Sequence, residues 1–194
     1  MKHYIIYIPG LGDHYDAGRR SALKLWQLFG VKTQLVPMQW YAAGTYEAKV
    51  HAVLAAIEIA QKAGYTVSVI GESAGASMAL NVAARVDSLH SVVLLAGIAS
   101  NVTPISPRIK ARSPSFAASV AALPVVAKKT NPSKIHVVQA VWDSTVPSRY
   151  NQIKGARVHT IWSVGHLTTI FICITILSPF IIHLAKSGSG EHAK

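Results

Sequence analysis

Short apolar runs alternate with stretches of helical periodicity along most of this chain. Residues 2–8, 31–36, 65–70, 91–96, 134–141 and 157–162 each read as a short strand dominated by apolar residues. Between them the period changes to that of a helix. Residues 16–29 place Ala22, Leu25, Leu28 and Phe29 on one face, with Arg19, Arg20 and Lys24 elsewhere. Residues 45–63 turn Val50, Val53, Leu54, Ile57 and Ile59 inward, and a third helix runs from Ala76 to about Val86. Gly30 and Gly64 stop the first two helices, and Pro37 ends the second strand. A short helix is expected to start at Ser148. Strands alternating with helices imply an α/β fold: a six-stranded parallel sheet with helices on both faces. No internal repeat is evident.

Two stretches break the alternation. Residues 97–132 hold five of the nine prolines (Pro104, Pro107, Pro114, Pro124 and Pro132), with many Ser, Ala and basic residues. Phe116, Val120, Leu123, Val125 and Val126 predict one or two short helices there, in a cap-like excursion over the sheet rather than a second domain. The other stretch, residues 167–184, carries no formally charged residue over eighteen positions, a length at which a membrane span has to be weighed. The first expectation is a helix packed on the sheet. A surface-lying or dimer-forming helix and a true span are the alternatives, and Ser178-Pro179 could start a new helix or kink this one. The domain is expected to cover residues 1–186, followed by a flexible tail at 187–194 that contains Glu191 and His192.

Composition narrows the class. The chain has 194 residues, 51% of them hydrophobic and 14% charged, enough for one cored domain and unlike a disordered chain. One cysteine, Cys173, allows neither an internal disulfide nor a cysteine metal cluster, and no secretory leader is read at the start; a cytoplasmic location is expected. No cofactor and no metal are implied. Nineteen Lys and Arg face eight Asp and Glu, for a net charge of +11. No acidic residue occurs between Ser88 and Trp142. That balance favours anionic surroundings and leaves peripheral contact with an anionic membrane open. No nucleic-acid module is recognisable, so no nucleic-acid partner is expected.

The chemistry concentrates in the loops that follow strands, where an open parallel sheet presents its reactive groups. Gly71-Glu72-Ser73-Ala74-Gly75 lies where a strand turns sharply into a helix. Such a turn holds a serine in a strained conformation with its oxygen exposed, and the helix start supplies amides and partial positive charge for a developing oxyanion. A serine needs an imidazole to take its proton and a carboxylate to orient that imidazole. Among nine histidines, His166 follows the last strand, within Val-Gly-His; His14, after the first strand, is its rival at a carboxyl edge. Beyond Asp87 the only acids are Asp143 and Glu191, and Asp143 directly follows a strand. The order Ser73, Asp143, His166 is the one expected for a hydrolase of this architecture.

With these motifs the chain resembles a small, minimal α/β-hydrolase of the esterase or lipase type over nearly its whole length. Ile8-Pro9-Gly10-Leu11-Gly12 resembles the oxyanion loop, Gly71–Gly75 the nucleophile elbow, Asp143-Ser144-Thr145-Val146-Pro147 the acid loop and Gly165-His166 the histidine loop. The family has eight strands and this chain six, beginning at what would be the third. Pro9 stands where the family often has a histidine. The resemblance implies that Ser73, His166 and Asp143 act as a triad, and that the backbone N–H groups of Leu11 and Ala74 form the oxyanion hole. It also implies acyl transfer on a small ester, most simply a short or medium acyl ester. Thioesterase, amidase and acyltransferase chemistry would use the same residues, and a non-catalytic binding protein of the same fold is the alternative of another class.

Overall fold

The computed structural model describes residues 2–100 and 105–188. Six strands, β1 (His3–Ile8), β2 (Val31–Leu35), β3 (Thr66–Glu72), β4 (Val92–Leu95), β5 (Ile135–Trp142) and β6 (Arg157–Val164), form one sheet in the order β2-β1-β3-β4-β5-β6. Every ladder is parallel. The central strands are buried on both faces, which is why they read in sequence as continuous apolar runs.

Helices cover both faces. Helices α2 (Tyr46–Lys62) and α3 (Ala74–Ala83) pack over one, with Val50, Val53, Ile57, Met78 and Leu80 against Ile6, Ile8, Val69 and Leu94. Thr45 caps α2, its hydroxyl accepting from the Ala48 amide at 3.1 Å. The other face takes α1 (Asp16–Trp26), α7 (His166–Ile174) and α8 (Ser178–Lys186), with Leu23, Trp26, Cys173, Ile181 and Leu184 against Ile5, Tyr7, Val93 and Leu95.

Two helix faces differ from the sequence pattern. In α1 the buried positions are Arg19, Ala22, Leu23 and Trp26, while Leu25, and Leu28 and Phe29 in the 3-10 turn that follows, are exposed. Residues 19, 22, 23 and 26 are as good a helical stripe as 22, 25 and 29. The choice falls to Trp26, whose indole N–H donates to Ile174 O at 2.9 Å, and to Arg19, which has a buried partner. In α2, Ile59 is 69% exposed because it lies about 200° around the helix from Ile57.

The excursion folds into three short helices rather than one or two: α4 (Pro107–Arg112), α5 (Pro114–Ala121) and α6 (Leu123–Val126). A proline stands at the first or second position of each, where its missing N–H costs nothing. Phe116, Val120, Leu123 and Val126 are buried, and Val125 is exposed. Ser119 ties α5 to α3 through Ser77 Oγ (2.6 Å) and the Asn81 amide (2.9 Å), and Ser113 Oγ donates to Trp40 O at 2.8 Å. The helices α5 and α6 are therefore part of the core. Pro104 lies outside the described residues.

The apolar stretch 167–184 is not one helix. It breaks at Thr175 and continues as α8, with Pro179 in the first turn and a bend of 75° between the two segments. Among the described residues no single helix is long and apolar enough to cross a membrane. Both segments bury one side against the sheet, including Cys173, Ile181 and Ala185. Burial pushes the Cys173 thiol up to about 12, so it offers no competing thiolate. Of the expected flexible tail, Ser187 is buried and its hydroxyl donates to His183 O at 2.8 Å; residues 189–194, with Glu191 and His192, lie outside the described residues.

The end of α8 is latched to the amino ends of the strands through histidines and serines. Ser68 Oγ and Ser91 Oγ donate to Ala185 O at 2.7 and 2.8 Å. His3 Nε2 lies 3.0 Å from Ser68 Oγ, His90 Nε2 2.7 Å from Lys186 O, and His136 Nδ1 3.2 Å from His159 Nε2. Burial, then the neighbouring His90 and Lys186, lowers His3 to about 4. Burial chiefly lowers His136 to about 4, although the Ser187 carbonyl opposes it. Burial and Arg157 lower His159 as well. These rings fold neutral. Their unfolded forms take up a proton near pH 6.5, so their contribution to stability is complete above pH 6.5 and is lost as pH falls toward 4. Urea unfolding at pH 5 is accordingly expected at a lower midpoint than at pH 7.5. A His136→Gln variant should show a weaker dependence across that interval, whatever its absolute stability.

Candidate active site

The strand β3 delivers Ser73 at φ 50°, ψ −115°, a conformation that a non-glycine residue holds only when its surroundings impose it. Three backbone bonds impose it: Ser73 N donates to Leu95 O at 2.9 Å, and Ser73 O accepts from Ala76 N and Ile98 N at 3.1 and 3.2 Å. The flanking glycines are required by space. A Cβ on Gly71 would come 2.6 Å from Gly75 O, and one on Gly75 would come 2.2 Å from Ile8 O. The elbow is thereby wedged between β1 and the start of α3.

The imidazole of His166, first residue of α7, places Nε2 at 2.8 Å from Ser73 Oγ. Its Nδ1 lies 2.7 Å from Asp143 Oδ2, with both side chains largely buried. The loop that follows β5 positions Asp143, whose Oδ1 accepts from the Thr145 and Val146 amides at 2.8 and 2.9 Å. Burial by itself would raise this carboxyl, but the hydrogen bonds from His166 and from the Val146 and Thr145 amides outweigh it and hold it below the usual aspartate value. Asp143 is therefore an anion at neutral pH, and an anion beside Nδ1 fixes the tautomer that leaves Nε2 facing the serine as acceptor. Gly165, at φ 94° and with its N–H on Trp142 O, turns the chain from β6 into α7 and sets where the ring falls. The rival histidine, His14, instead lies against the Tyr15 ring, with centroids 4.0 Å apart and planes tilted by 44°.

Three residues far apart in sequence thus meet in one hydrogen-bonded chain. The two amides named for an oxyanion are less constrained. Ala74 opens α3, and Leu11 sits in the loop after β1. Among the described residues neither amide is used in a loop, turn or cap hydrogen bond. Gly10 keeps that loop close: a Cβ there would come 2.8 Å from Ser73 Cβ.

A second constellation stands directly behind the serine. Glu72, the last residue of β3, is 1% exposed. Its Oε2 accepts from Tyr7 Oη at 2.6 Å and Arg19 Nε at 2.9 Å, and its Oε1 accepts from Arg19 Nη2 at 2.5 Å. The remaining Arg19 nitrogen donates to Gly12 O and to Asp16 Oδ1, both at 2.9 Å. Burial would lower Arg19, but the Glu72 bond and charge outweigh it, and it stays charged. Burial and then the Glu72 anion push the Tyr7 phenol well above its ordinary value, so it remains a donor. One guanidinium therefore ties the residue before the serine to the loop that carries Leu11. The sequence pattern set Arg19 off the apolar face; the signal available was an acid at the end of a buried run, which demands a partner.

No protein-family model matches this sequence, and no curated protein matches it. Its structure, by contrast, is similar to many solved ones. A structure described with LipS and LipT, two metagenome-derived lipolytic enzymes, matches with a TM-score of 0.71 at 11% identity, over 96% of this chain and 94% of that one. Est1E from Butyrivibrio proteoclasticus matches at 0.69 and 18% identity, over 96% and 89%. The monoacylglycerol lipase of Paleococcus ferrophilus matches at 0.65 and 13%, over 94% and 93%. The fold is that of the small α/β-hydrolases, and the solved structures that share it include lipases and esterases.

Proposed function

We propose that this chain is a serine hydrolase that cleaves carboxylic esters of short or medium acyl chains through an acyl-enzyme. The observation that carries this reading is the unbroken line from Ser73 Oγ to His166 to Asp143, at 2.8 and 2.7 Å. Ser73 attacks the ester carbonyl while His166 Nε2 takes its proton. The amides of Leu11 and Ala74 receive the oxyanion. His166 then protonates the departing alcohol, and water attacks the acyl-enzyme with His166 again as base. Asp143 stays ionised throughout and stabilises the imidazolium.

A fluorophosphonate probe and p-nitrophenyl esters from acetate to decanoate test this. The expected result is covalent labelling of Ser73 and ester turnover. A protein that is neither labelled nor active would be a non-catalytic member of the same fold.

A further inference from the structure

An apolar cavity of about 260 Å³ lies between α1 and α7, lined by Tyr15, Gly18, Leu167, Ile170, Phe171 and Ile174, with Arg19 and Glu72 at its wall. Two of its lining residues are the chain neighbours of reacting ones: Glu72 precedes Ser73, and Leu167 follows His166. The helix on its other side is fed by the loop that carries Leu11. From the structure we infer that this cavity is the subsite for one unbranched alkyl arm of the substrate. The inference rests on the hydrolase reading above and adds where that substrate's chain goes.

Three observations support it. The first is the chemistry of the wall. Both nitrogens that Arg19 turns to Glu72, its third nitrogen, and both Glu72 oxygens are already engaged in hydrogen bonds. The charged pair is therefore self-satisfied and offers no binding site to a carboxylate or an amine, so the cavity accepts apolar groups. The second is that the apolar walls are left uncovered. Leu167 and Phe171 are 59% and 61% exposed, one helical turn apart on α7, above the buried Ile170 and Ile174. An apolar chain laid there would remove these side chains from water. The third is Gly18. It sits in the first turn of a regular helix, has no positive φ, and a Cβ placed on it would meet nothing within 4 Å. Neither backbone geometry nor close packing calls for glycine here, and helices disfavour it. What the missing side chain does is leave the cavity open. The volume is slightly below the range of about 300–1,000 Å³ usual for whole small-molecule pockets, which suits one arm of a substrate rather than all of it.

Gly18→Leu tests the inference, because a side chain there has room and the helix gains from it; its melting temperature should equal or exceed that of the parent. Two substrate series separate the two sources of an alkyl arm: p-nitrophenyl esters from acetate to decanoate vary the acyl chain, and methyl to decyl acetates vary the alcohol. In one series, the ratio of kcat/KM for the longest over the shortest member is expected to fall about tenfold or more in Gly18→Leu. Phe171→Ala, at an exposed position, should lower the same ratio by removing a wall. The series that responds identifies the arm. Unchanged ratios in both series, in an enzyme that still hydrolyses esters, would overturn the subsite and leave the hydrolase reading standing. If Ser73 is labelled but no ester turns over, the labelling rates of a dodecyl and a methyl fluorophosphonate supply the ratio instead. No labelling and no turnover would remove the hydrolase reading and this inference with it.

Discussion

Ser73→Ala is expected to lower ester turnover by about 10⁶-fold, and Asp143→Asn by about 10⁴-fold, with both proteins folded. The two losses have different causes. Without the Ser73 hydroxyl there is no nucleophile, and whatever remains comes from the oxyanion amides and binding. In Asp143→Asn the serine is intact and the shape of the side chain is preserved, so the Thr145 and Val146 amides still find an acceptor. What changes is the atom facing His166 Nδ1, now 2.7 Å from an anionic oxygen. An amide group there can present its NH₂ to Nδ1, which would select the tautomer whose Nε2 carries the proton and cannot accept one from Ser73. It also withdraws the charge that stabilises the imidazolium. The loss should therefore fall in kcat with little change in KM, and should be partly recovered at high pH, where hydroxide can remove the serine proton directly. The measurement is the kcat and KM of each variant over pH 6–10, alongside its melting temperature. An Asp143→Asn protein that keeps more than a tenth of the parent's kcat would show that this carboxylate does not orient the base. The double variant Ser73→Ala/Asp143→Asn should be no worse than Ser73→Ala alone, because residues of one triad act as a unit.

The strands and the reacting loops were legible in the sequence for one physical reason. A parallel sheet buries both faces of its central strands, so Val69, Ile70, Val93 and Leu94 form unbroken apolar runs, and polar or glycine-rich residues stand out after them. Asp143 stands out because acids are scarce beyond Asp87. Helix faces were harder. Two stripes that share Ala22 compete in α1, and what separates them, the indole of Trp26 on Ile174 and the guanidinium of Arg19 on Glu72, depends on partners 148 and 53 residues away. The burial of Phe116 is likewise set by packing against Trp40, whereas the new helix that starts at Ser178-Pro179 was already open in the sequence. Periodicity reports how much apolar surface an element has; it does not report which long-range partner claims it.

The Arg19–Glu72 pair carries the second large effect, on stability. Arg19→Met is expected to destabilise the fold by about 3–5 kcal/mol, the usual cost of stranding one member of a buried pair. For a chain of this length that is a fall in melting temperature on the order of 10 °C. With Arg19 gone, the Glu72 carboxylate keeps only the Tyr7 hydroxyl at 2.6 Å and has no solvent to turn to. The Gly12 carbonyl and Asp16 lose a donor at the same stroke. Glu72→Gln alone should cost less, since an amide still accepts from Arg19 and Asp16 still balances the guanidinium. The double variant Arg19→Met/Glu72→Gln removes both charges at nearly constant volume and should recover much of the loss, because replacing a buried pair outright is often close to neutral. Urea unfolding of the four proteins forms a double-mutant cycle, and a coupling near zero would mean that the pair contributes nothing beyond the packing of its side chains. Activity supplies the second reading. If the guanidinium serves only the core, the double variant will regain kcat together with stability. If it also holds the loop of Gly12 and Leu11 against the elbow, the double variant will be stable and still slow, because Gly12 O then keeps only the Tyr15 amide of its own loop and has lost its tie to the elbow.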